Sequence, residues 1–231
     1  MRFSGLSKLT LLDFPGTVAC TLFTAGCNFR CPYCHNASLV TGTNDEYVIP
    51  EDEIWTFLKK RQGIIEGVAI TGGEPMLHKG LPDFFRQVRD LGYKIKCDTN
   101  GTNPAMLKQV VSEGLVDYIA MDIKDSPELY PIATGIDRPD MEAVTESKEF
   151  LLEGRCDYEF RTTVVKGIHT PESIRGAALW IKGARRYFLQ GFKDSGELLK
   201  GEGLEAFTEE EMKALAGSIQ DIIPAVEIRG Y

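Results

Sequence analysis

The chain has 231 residues and carries 26 Lys and Arg against 34 Asp and Glu, a formal net charge of −8. That balance disfavours a nucleic-acid partner, because such partners need a broad basic face to neutralise phosphates. Six unevenly spaced cysteines are too few for a disulfide scaffold and indicate metal or redox chemistry in a reducing compartment. We see no signal peptide and no apolar run of about 18 residues, so we expect a cytoplasmic protein with no membrane partner.

Segments typical of strands and of helices alternate along the chain. In order, they are strand 18–24, helix 50–62, strand 67–75, helix 81–92, strand 93–101, helix 103–114, strand 115–124, a rim loop at 125–140, helix 141–154, strand 156–165, helix 170–183, strand 185–192, helix 208–221 and a last strand at 225–231. The helical segments open on Pro, Asn, Thr or acidic residues, and several end at Gly, as capping preferences favour.

Six strand-then-helix units in succession predict an α/β fold with a parallel sheet and the helices outside it. Six units are fewer than the eight of a closed barrel, so we expect a partial (β/α)6 TIM-like barrel, with residues 1–231 forming a single domain. An open flavodoxin-like sheet is the alternative. In a parallel barrel, ligands bind at the rim formed by the carboxyl ends of the strands.

The stretch "GCNFRCPYCHNA" places Cys27, Cys31 and Cys34 in a C-x3-C-x2-C pattern directly after the first predicted strand. Three close thiolates suit an iron–sulfur cluster that keeps one iron open, which is typical of a catalytic site. A structural zinc site with His35 as its fourth ligand is the alternative, although His35 adjoins Cys34 and both would have to turn onto one ion. The remaining cysteines, Cys20, Cys97 and Cys156, are scattered singly and are expected to be small buried hydrophobes.

Glycines and polar residues follow the ends of the next predicted strands. They are Gly72, Gly73 and Glu74 in "TGGEP", Asp98, Thr99 and Asn100 in "DTNG", Asp122 and Lys124 in "DIK", and Arg161 and Thr163 on one face of the fifth strand. Glycines allow a backbone to approach a ligand closely, whereas the alternative is an ordinary turn. An Arg inside a barrel suggests an anion to meet, although a salt bridge at the rim would explain it as well.

These motifs resemble those of the radical SAM superfamily. The resemblance rests on the cysteine pattern with an aromatic residue, Tyr33, before its last Cys, and on "TGGEP" after the second strand, and it extends along most of the chain. Together with "DTNG" and "DIK", the set looks like the small activases of glycyl radical enzymes. With the opening "LTLLDFPG", it looks most like the activating proteins of anaerobic ribonucleoside-triphosphate reductase.

The resemblance implies a 4Fe–4S cluster and S-adenosylmethionine as cofactors. The reduced cluster would cleave S-adenosylmethionine to a 5′-deoxyadenosyl radical, which takes hydrogen from a glycine of a partner glycyl radical enzyme, with a flavodoxin- or ferredoxin-type protein as electron donor. Cys27, Cys31 and Cys34 would hold the cluster. The expected cofactor-binding residues are Tyr33, His35, Gly72, Gly73, Glu74, Asp98, Thr99, Asn100, Asp122, Lys124, Arg161 and Thr163.

The resemblance also places Asp98 and Asp122 near the carboxylate of the bound methionine moiety. Carboxylates this close repel one another unless a cation lies between them. We therefore expect a sodium, potassium or magnesium ion near Asp98 and Asp122, with part of the charge supplied by Lys124.

Two other functions stay open from the sequence. The chain could be a radical SAM enzyme that acts on a small molecule, or a non-catalytic iron–sulfur or zinc regulator. We rank the regulator last because it would leave the "GGE" motif and the acids at the rim without a role. His78 and His169 have no evident partner and are expected at the surface or at helix caps.

Overall fold

The strands of the described chain form one sheet, in which they lie in the order in which they occur in the sequence. A computed structural model describes residues 1–41, 48–194, 196 and 198–230. The strands are β1 (Phe3–Thr10), β2 (Ala19–Thr24), β3 (Gly67–Gly72), β4 (Lys94–Thr99), β5 (Tyr118–Asp122), β6 (Asp157–Val164), β7 (Tyr187–Gly191) and β8 (Val226–Arg229). The helices are α1 (Ala37–Thr41), α2 (Glu51–Arg61), α3 (Leu81–Asp90), α4 (Pro104–Ser112), α5 (Tyr130–Thr134), α6 (Met141–Leu152), α7 (Pro171–Trp180) and α8 (Glu209–Gly217).

The pairing of the strands confirms the predicted barrel winding. From β2 to β8 every neighbouring pair is parallel, and only β1 runs antiparallel to β2. A flavodoxin-like sheet reverses its strand order at a switch point, so the sequential order rules that alternative out. Among the described residues, β1 and β8 form the two edges and do not pair with each other, so the barrel stays open on one side.

Three elements differ from the sequence prediction, and one of them, the short helix α1, was not predicted at all. Strand β1 was not predicted, because only its first residue, Phe3, is fully buried and its pairing with β2 contains two register shifts. Helix α5 lies within the segment 125–140 that was predicted to be a loop. Its first residue, Tyr130, is fully buried, and its ring lies 6.4 Å from that of Phe29 and 5.6 Å from that of Trp180. Burial of this aromatic ring explains why the segment becomes ordered despite its Pro and Asp content.

The remaining elements begin and end close to their predicted bounds because local capping chemistry fixes them. Asn103 caps α4 by accepting a hydrogen bond from the Met106 amide, and Thr208 forms a reciprocal capping box with Glu211 at the start of α8. The last predicted strand is observed as β8, and its final predicted position, 231, lies outside the described residues.

Alternation along the strands separates the barrel interior from the helix-covered outer face. On β4, Ile95 and Cys97 belong to the hydrophobic core, whereas Lys96 and Asp98 point to the opposite side, into the barrel. Within the described part of the chain, no helix combines the length and the apolar character needed to cross a bilayer.

Candidate active site

A cavity of about 400 Å³ lies at the carboxyl ends of the parallel strands. This volume is within the range of small-molecule sites. All fifteen residues singled out from the sequence line it, namely Cys27, Cys31, Tyr33, Cys34, His35, Gly72, Gly73, Glu74, Asp98, Thr99, Asn100, Asp122, Lys124, Arg161 and Thr163. The parallel strands bring these side chains together because they all end at the same rim.

The three clustered cysteines lie on the loop that follows β2. Cys31 is buried, Cys27 and Cys34 are half-buried, and a turn is closed by a 3.0 Å hydrogen bond from the Cys34 amide to the Cys31 carbonyl. Burial raises the pKa of Cys27 and raises that of Cys31 to about 12, so a metal is needed to stabilise the thiolates. The other three cysteines are free thiols away from this loop; Cys20 and Cys97 are fully buried and Cys156 is half-buried.

This cavity wall fits an iron–sulfur cluster with a bound cofactor. Three thiols without a competing fourth ligand type are the donor set that a site-differentiated cluster uses. The hydroxyl of Tyr33 is buried, lines the cavity and has no hydrogen-bond partner in the protein, so a bound group would meet it.

His35 is held by contacts of its own on the same wall. Its ring stacks on Phe192, with centroids 5.6 Å apart, and it accepts or donates one hydrogen bond at the backbone of Lys193. Burial lowers the pKa of His35. Across the described residues, no group of three or more His, Cys, Asp or Glu side chains has the spacing to hold a single metal ion.

The two glycines at the end of β3, Gly72 and Gly73, are required by the close approach of two loops. Gly72 has a φ of 113°, and a Cβ there would lie 2.4 Å from the Thr24 amide nitrogen. A Cβ at Gly73 would lie 1.9 Å from the carbonyl oxygen of Gly26, which also accepts a 2.8 Å hydrogen bond from the Glu74 amide. The glycine turn therefore abuts the cysteine loop directly, in addition to lining the cavity.

The carboxylate of Glu74 joins this turn to the end of β4. It is 1% exposed, and it accepts hydrogen bonds from the Met76 amide at 3.0 Å, the Thr99 hydroxyl at 2.8 Å and the Asn100 amide at 2.6 Å. Burial raises the pKa of Glu74 to about 7, although these donors oppose the rise. Its oxygens are thus engaged by protein donors, and its predicted role in cofactor binding remains a prediction.

Asn100 connects the end of β4 to the cysteine loop. Its side-chain amide donates to Asn28 Oδ1 at 2.8 Å and lies 3.9 Å from the sulfur of Cys27, while its Oδ1 accepts from the Thr102 amide at 3.0 Å. Three loops at the rim, those that follow β2, β3 and β4, are therefore held together by hydrogen bonds of Glu74 and Asn100.

A row of alternating charges crosses the barrel interior below these loops. Arg161 donates from Nη1 to Asp98 at 3.0 Å, and from Nε and Nη2 to Asp122 at 2.9 and 2.7 Å. Lys96 contacts the second oxygen of Asp98, and Lys124 donates to the second oxygen of Asp122 at 3.0 Å. Burial alone would raise the pKa of both carboxyl groups, but Arg161 and the two lysines outweigh it, so both pKa values are lowered.

The place expected for an inorganic cation holds an arginine in this structure, and the cation itself stays a prediction. The guanidinium of Arg161 lies between Asp98 and Asp122, the place in which the sequence analysis expected a metal ion. Lys124 supplies charge to Asp122 as expected. The sequence showed the acids but could not show that β6 would place an arginine between them.

His169 was expected at the surface or at a helix cap, and it is buried beside this row. Its Nδ1 accepts from the Val165 amide at 3.1 Å, and its Nε2 lies 2.8 Å from the carbonyl oxygen of Lys124. It therefore fixes the backbone from which the Lys124 side chain enters the cavity. A "GIHT" turn after a buried strand gave no signal of this role in the sequence.

Further cavity residues were missed or given little weight in the sequence. Asp13 lines the cavity and accepts a hydrogen bond from the Thr21 hydroxyl, and Gln190 at the end of β7 borders it. The acid in "LTLLDFPG" was a usable signal for Asp13, because it occurs in the quoted opening that carries part of the resemblance.

Comparison with known proteins shows the family. A model described as the radical SAM superfamily matches residues 21–180, and the chain belongs to this superfamily. Its cofactors, a 4Fe–4S cluster and S-adenosylmethionine, are those that the motifs implied. A protein of Methanocaldococcus jannaschii, provisionally named a glycyl-radical enzyme activating enzyme, is 29% identical over 82% of this chain and 79% of its own length.

Two further matches are more distant or more partial. A GTP 3′,8-cyclase of Helicobacter pylori is 30% identical over 65% of this chain, which spans about half of the length of that cyclase (48%). The crystal structure of a domain of pyruvate-formate lyase-activating enzyme from Bacteroides vulgatus superposes with a TM-score of 0.58 at 19% identity, covering 71% of this chain and 99% of the domain. The last likeness shows the shared fold.

Proposed function

We propose that the chain, as one radical SAM domain over residues 1–231, activates a glycyl radical enzyme, with anaerobic ribonucleoside-triphosphate reductase as the partner. One observation carries the proposal: three cysteines and a buried row of charges line a single cavity inside a barrel that stays open on one side. The M. jannaschii relative, which matches over most of both chains, supports the same function.

Each wall of the cavity has a role in this proposal. Cys27, Cys31 and Cys34 hold the cluster, which together with S-adenosylmethionine supplies a carbon-centred radical when bound. Three cations and two anions form the row of charges, so one positive charge remains to attract the carboxylate of the cofactor. Gly72 and Gly73 bring backbone close to the cluster loop, and the buried Tyr33 hydroxyl offers a donor to the bound group.

A peptide glycine suits this cavity as the hydrogen donor. In this proposal an extended loop of another protein enters between β1 and β8, the two edge strands, which do not pair with each other among the described residues. Reduction of the cluster by a flavodoxin- or ferredoxin-type protein belongs to the same proposal.

The test is an anaerobic reaction of the reconstituted, reduced chain with S-adenosylmethionine and the candidate partner. A glycyl radical should appear by electron paramagnetic resonance while 5′-deoxyadenosine forms in step. With the partner's glycine deuterated at the α-carbon, deuterium should be found in 5′-deoxyadenosine. If no deuterium is transferred from the glycine, the proposal is wrong.

Chemistry on a small molecule is the second candidate, and the match to GTP 3′,8-cyclases favours it. Because the chain spans about half of the length of that cyclase, the match does not assign the substrate of the cyclase to this chain. Incubation with deuterated purine nucleotides distinguishes the two candidates. Transfer of deuterium from a nucleotide, without a partner protein, would replace the activase proposal.

A further inference from the structure

Lys96 is a lysine in the middle of a parallel strand with its side chain inside the barrel. It is 1% exposed, and its neighbours across the strands are Ala69 on β3 and Tyr118 on β5. Lysine is almost never fully buried unless its charge is paired. The position therefore requires a partner for the ammonium group within the barrel.

Asp98 is that partner, and the other buried acid nearby is already engaged. Glu159 accepts two hydrogen bonds from Arg229, at 2.7 and 2.8 Å, and one from the Tyr118 hydroxyl at 2.8 Å. The ammonium of Lys96 contacts Oδ1 of Asp98, two positions further along the same strand. Residues two apart on a strand face the same side, so the backbone itself directs Lys96 to Asp98.

With this contact, every oxygen of the two rim carboxylates meets a cationic nitrogen of the chain. Asp98 receives Lys96 on one oxygen and Arg161 on the other, and Asp122 receives Arg161 on one oxygen and Lys124 on the other. An inorganic cation is usually held by several such oxygens. Here those oxygens are already taken by groups that are covalently part of the protein.

We propose that Lys96 is a positioning residue that acts as a built-in counter-ion for Asp98, so that binding of S-adenosylmethionine by this chain needs no inorganic cation. The inference rests on the cofactor of the superfamily and is independent of which partner the chain activates. Without Lys96, one oxygen of a buried carboxylate would have lost its partner, and a small cation from solution would take its place.

Lys96→Met is the informative variant, because Met keeps an unbranched apolar stem but is one atom shorter and carries no charge. The shortened side chain leaves space beside Asp98 for a small ion. Lys94→Met is the matched control, since Lys94 is on the same strand with its side chain 58% exposed and its Nζ 4.0 Å from Glu66.

Binding of S-adenosylmethionine to the anaerobically reconstituted full chain is measured by titration calorimetry at constant ionic strength, with potassium, sodium or tetramethylammonium as the only cation. The wild type and Lys94→Met should bind equally in all three salts. Lys96→Met should bind roughly ten- to a hundredfold more weakly in tetramethylammonium and recover in potassium or sodium.

A second readout does not use the cofactor. Thermal unfolding of the cluster-free chain should show stabilisation of Lys96→Met by potassium or sodium over tetramethylammonium, with no such difference for the wild type. Wild-type binding that depends on potassium or sodium would overturn the proposal. A Lys96→Met protein that binds S-adenosylmethionine as tightly as the wild type in every salt would overturn it too. Weaker binding by Lys96→Met that neither potassium nor sodium restores would also overturn it, since that result indicates a packing role alone.

Discussion

Replacement of Glu74 by Ala removes the acceptor of three buried hydrogen bonds at once. The donors are the amides of Met76 and Asn100 and the hydroxyl of Thr99, at distances of 2.6 to 3.0 Å. A buried donor left without an acceptor costs about 1–3 kcal/mol, and the Thr99 hydroxyl can rotate whereas the two amides cannot. With about 1–3 kcal/mol for each of the two amides, we expect the free energy of unfolding to fall by about 2–6 kcal/mol, a large share of the roughly 5–15 kcal/mol of a typical domain.

The decrease in the free energy of unfolding should depend on how many hydrogen-bond acceptors the substitution removes. Glu74→Gln keeps the shape and one acceptor oxygen but turns an amide group toward one of the donors, so we expect a loss of about 1–3 kcal/mol. Urea unfolding of the cluster-free chain at pH 6, under anaerobic and reducing conditions, gives both values. Glu66→Ala, at an exposed acid just before β3, is the control and should stay within about 0.5 kcal/mol of the wild type. A Glu74→Ala protein within about 1 kcal/mol of this control would refute the reasoning.

Three further predictions concern the same rim. Burial raises the pKa of Glu74 from 4.5 to about 7, so the folded chain keeps a proton that the unfolded chain has lost, and stability is lost as pH rises through this window. The free energy of unfolding of the wild type, measured by urea titration relative to Glu74→Gln, should fall by about 3 kcal/mol between pH 4.5 and 7. A difference between the two proteins that stays constant over this pH range would contradict the prediction. Gly73→Ala should lower the melting temperature and the amount of iron retained, because its Cβ would lie 1.9 Å from the Gly26 oxygen. Gly217→Ala in α8 is the control: its Cβ meets open space, and its free energy of unfolding should rise by up to about 1 kcal/mol. Equal melting temperatures of the two variants would count against the close approach. Ala at Cys27, Cys31 or Cys34 should abolish cluster retention in iron and sulfide analysis after anaerobic reconstitution, while Ala at Cys20, Cys97 or Cys156 should not, and a complete cluster in Cys31→Ala would show that the ligands are misassigned.

The parallel units could be predicted because local signals mark their ends. The Asn103 cap followed by Pro104, and the Thr208 box with Glu211, define helix starts that depend on a few adjacent residues. Strand β1 could not be predicted in the same way. Its pairing with β2 is a contact between distant residues, and its sequence, with Gly, Ser and Lys at central positions, has little strand preference of its own.

The residues predicted from motifs all line the cavity, whereas residues placed there by packing were missed. The clustered thiols and the acids at the strand ends belong to short sequence motifs that can be recognised without a structure. No motif marks Lys96 within "YKIK", and His169 was expected at the surface or at a helix cap, but both side chains are buried in the folded chain. The pairing of Arg161 with Asp98 was missed for the same reason, because the two residues are 63 positions apart in the sequence.

The cysteine loop is fixed by backbone hydrogen bonds from four separate parts of the chain. Gly26 donates to Leu39 and accepts from Glu74, Arg30 donates to the Thr134 carbonyl, and Lys200 donates to the carbonyl of Pro32, at 2.8 to 3.0 Å. None of these bonds uses a thiol. Oxygen that strips iron from the cluster would therefore leave the frame of the loop standing. We therefore expect iron, sulfide and a thiol reductant to rebuild the cluster in the existing protein after exposure to air, without new synthesis of the chain.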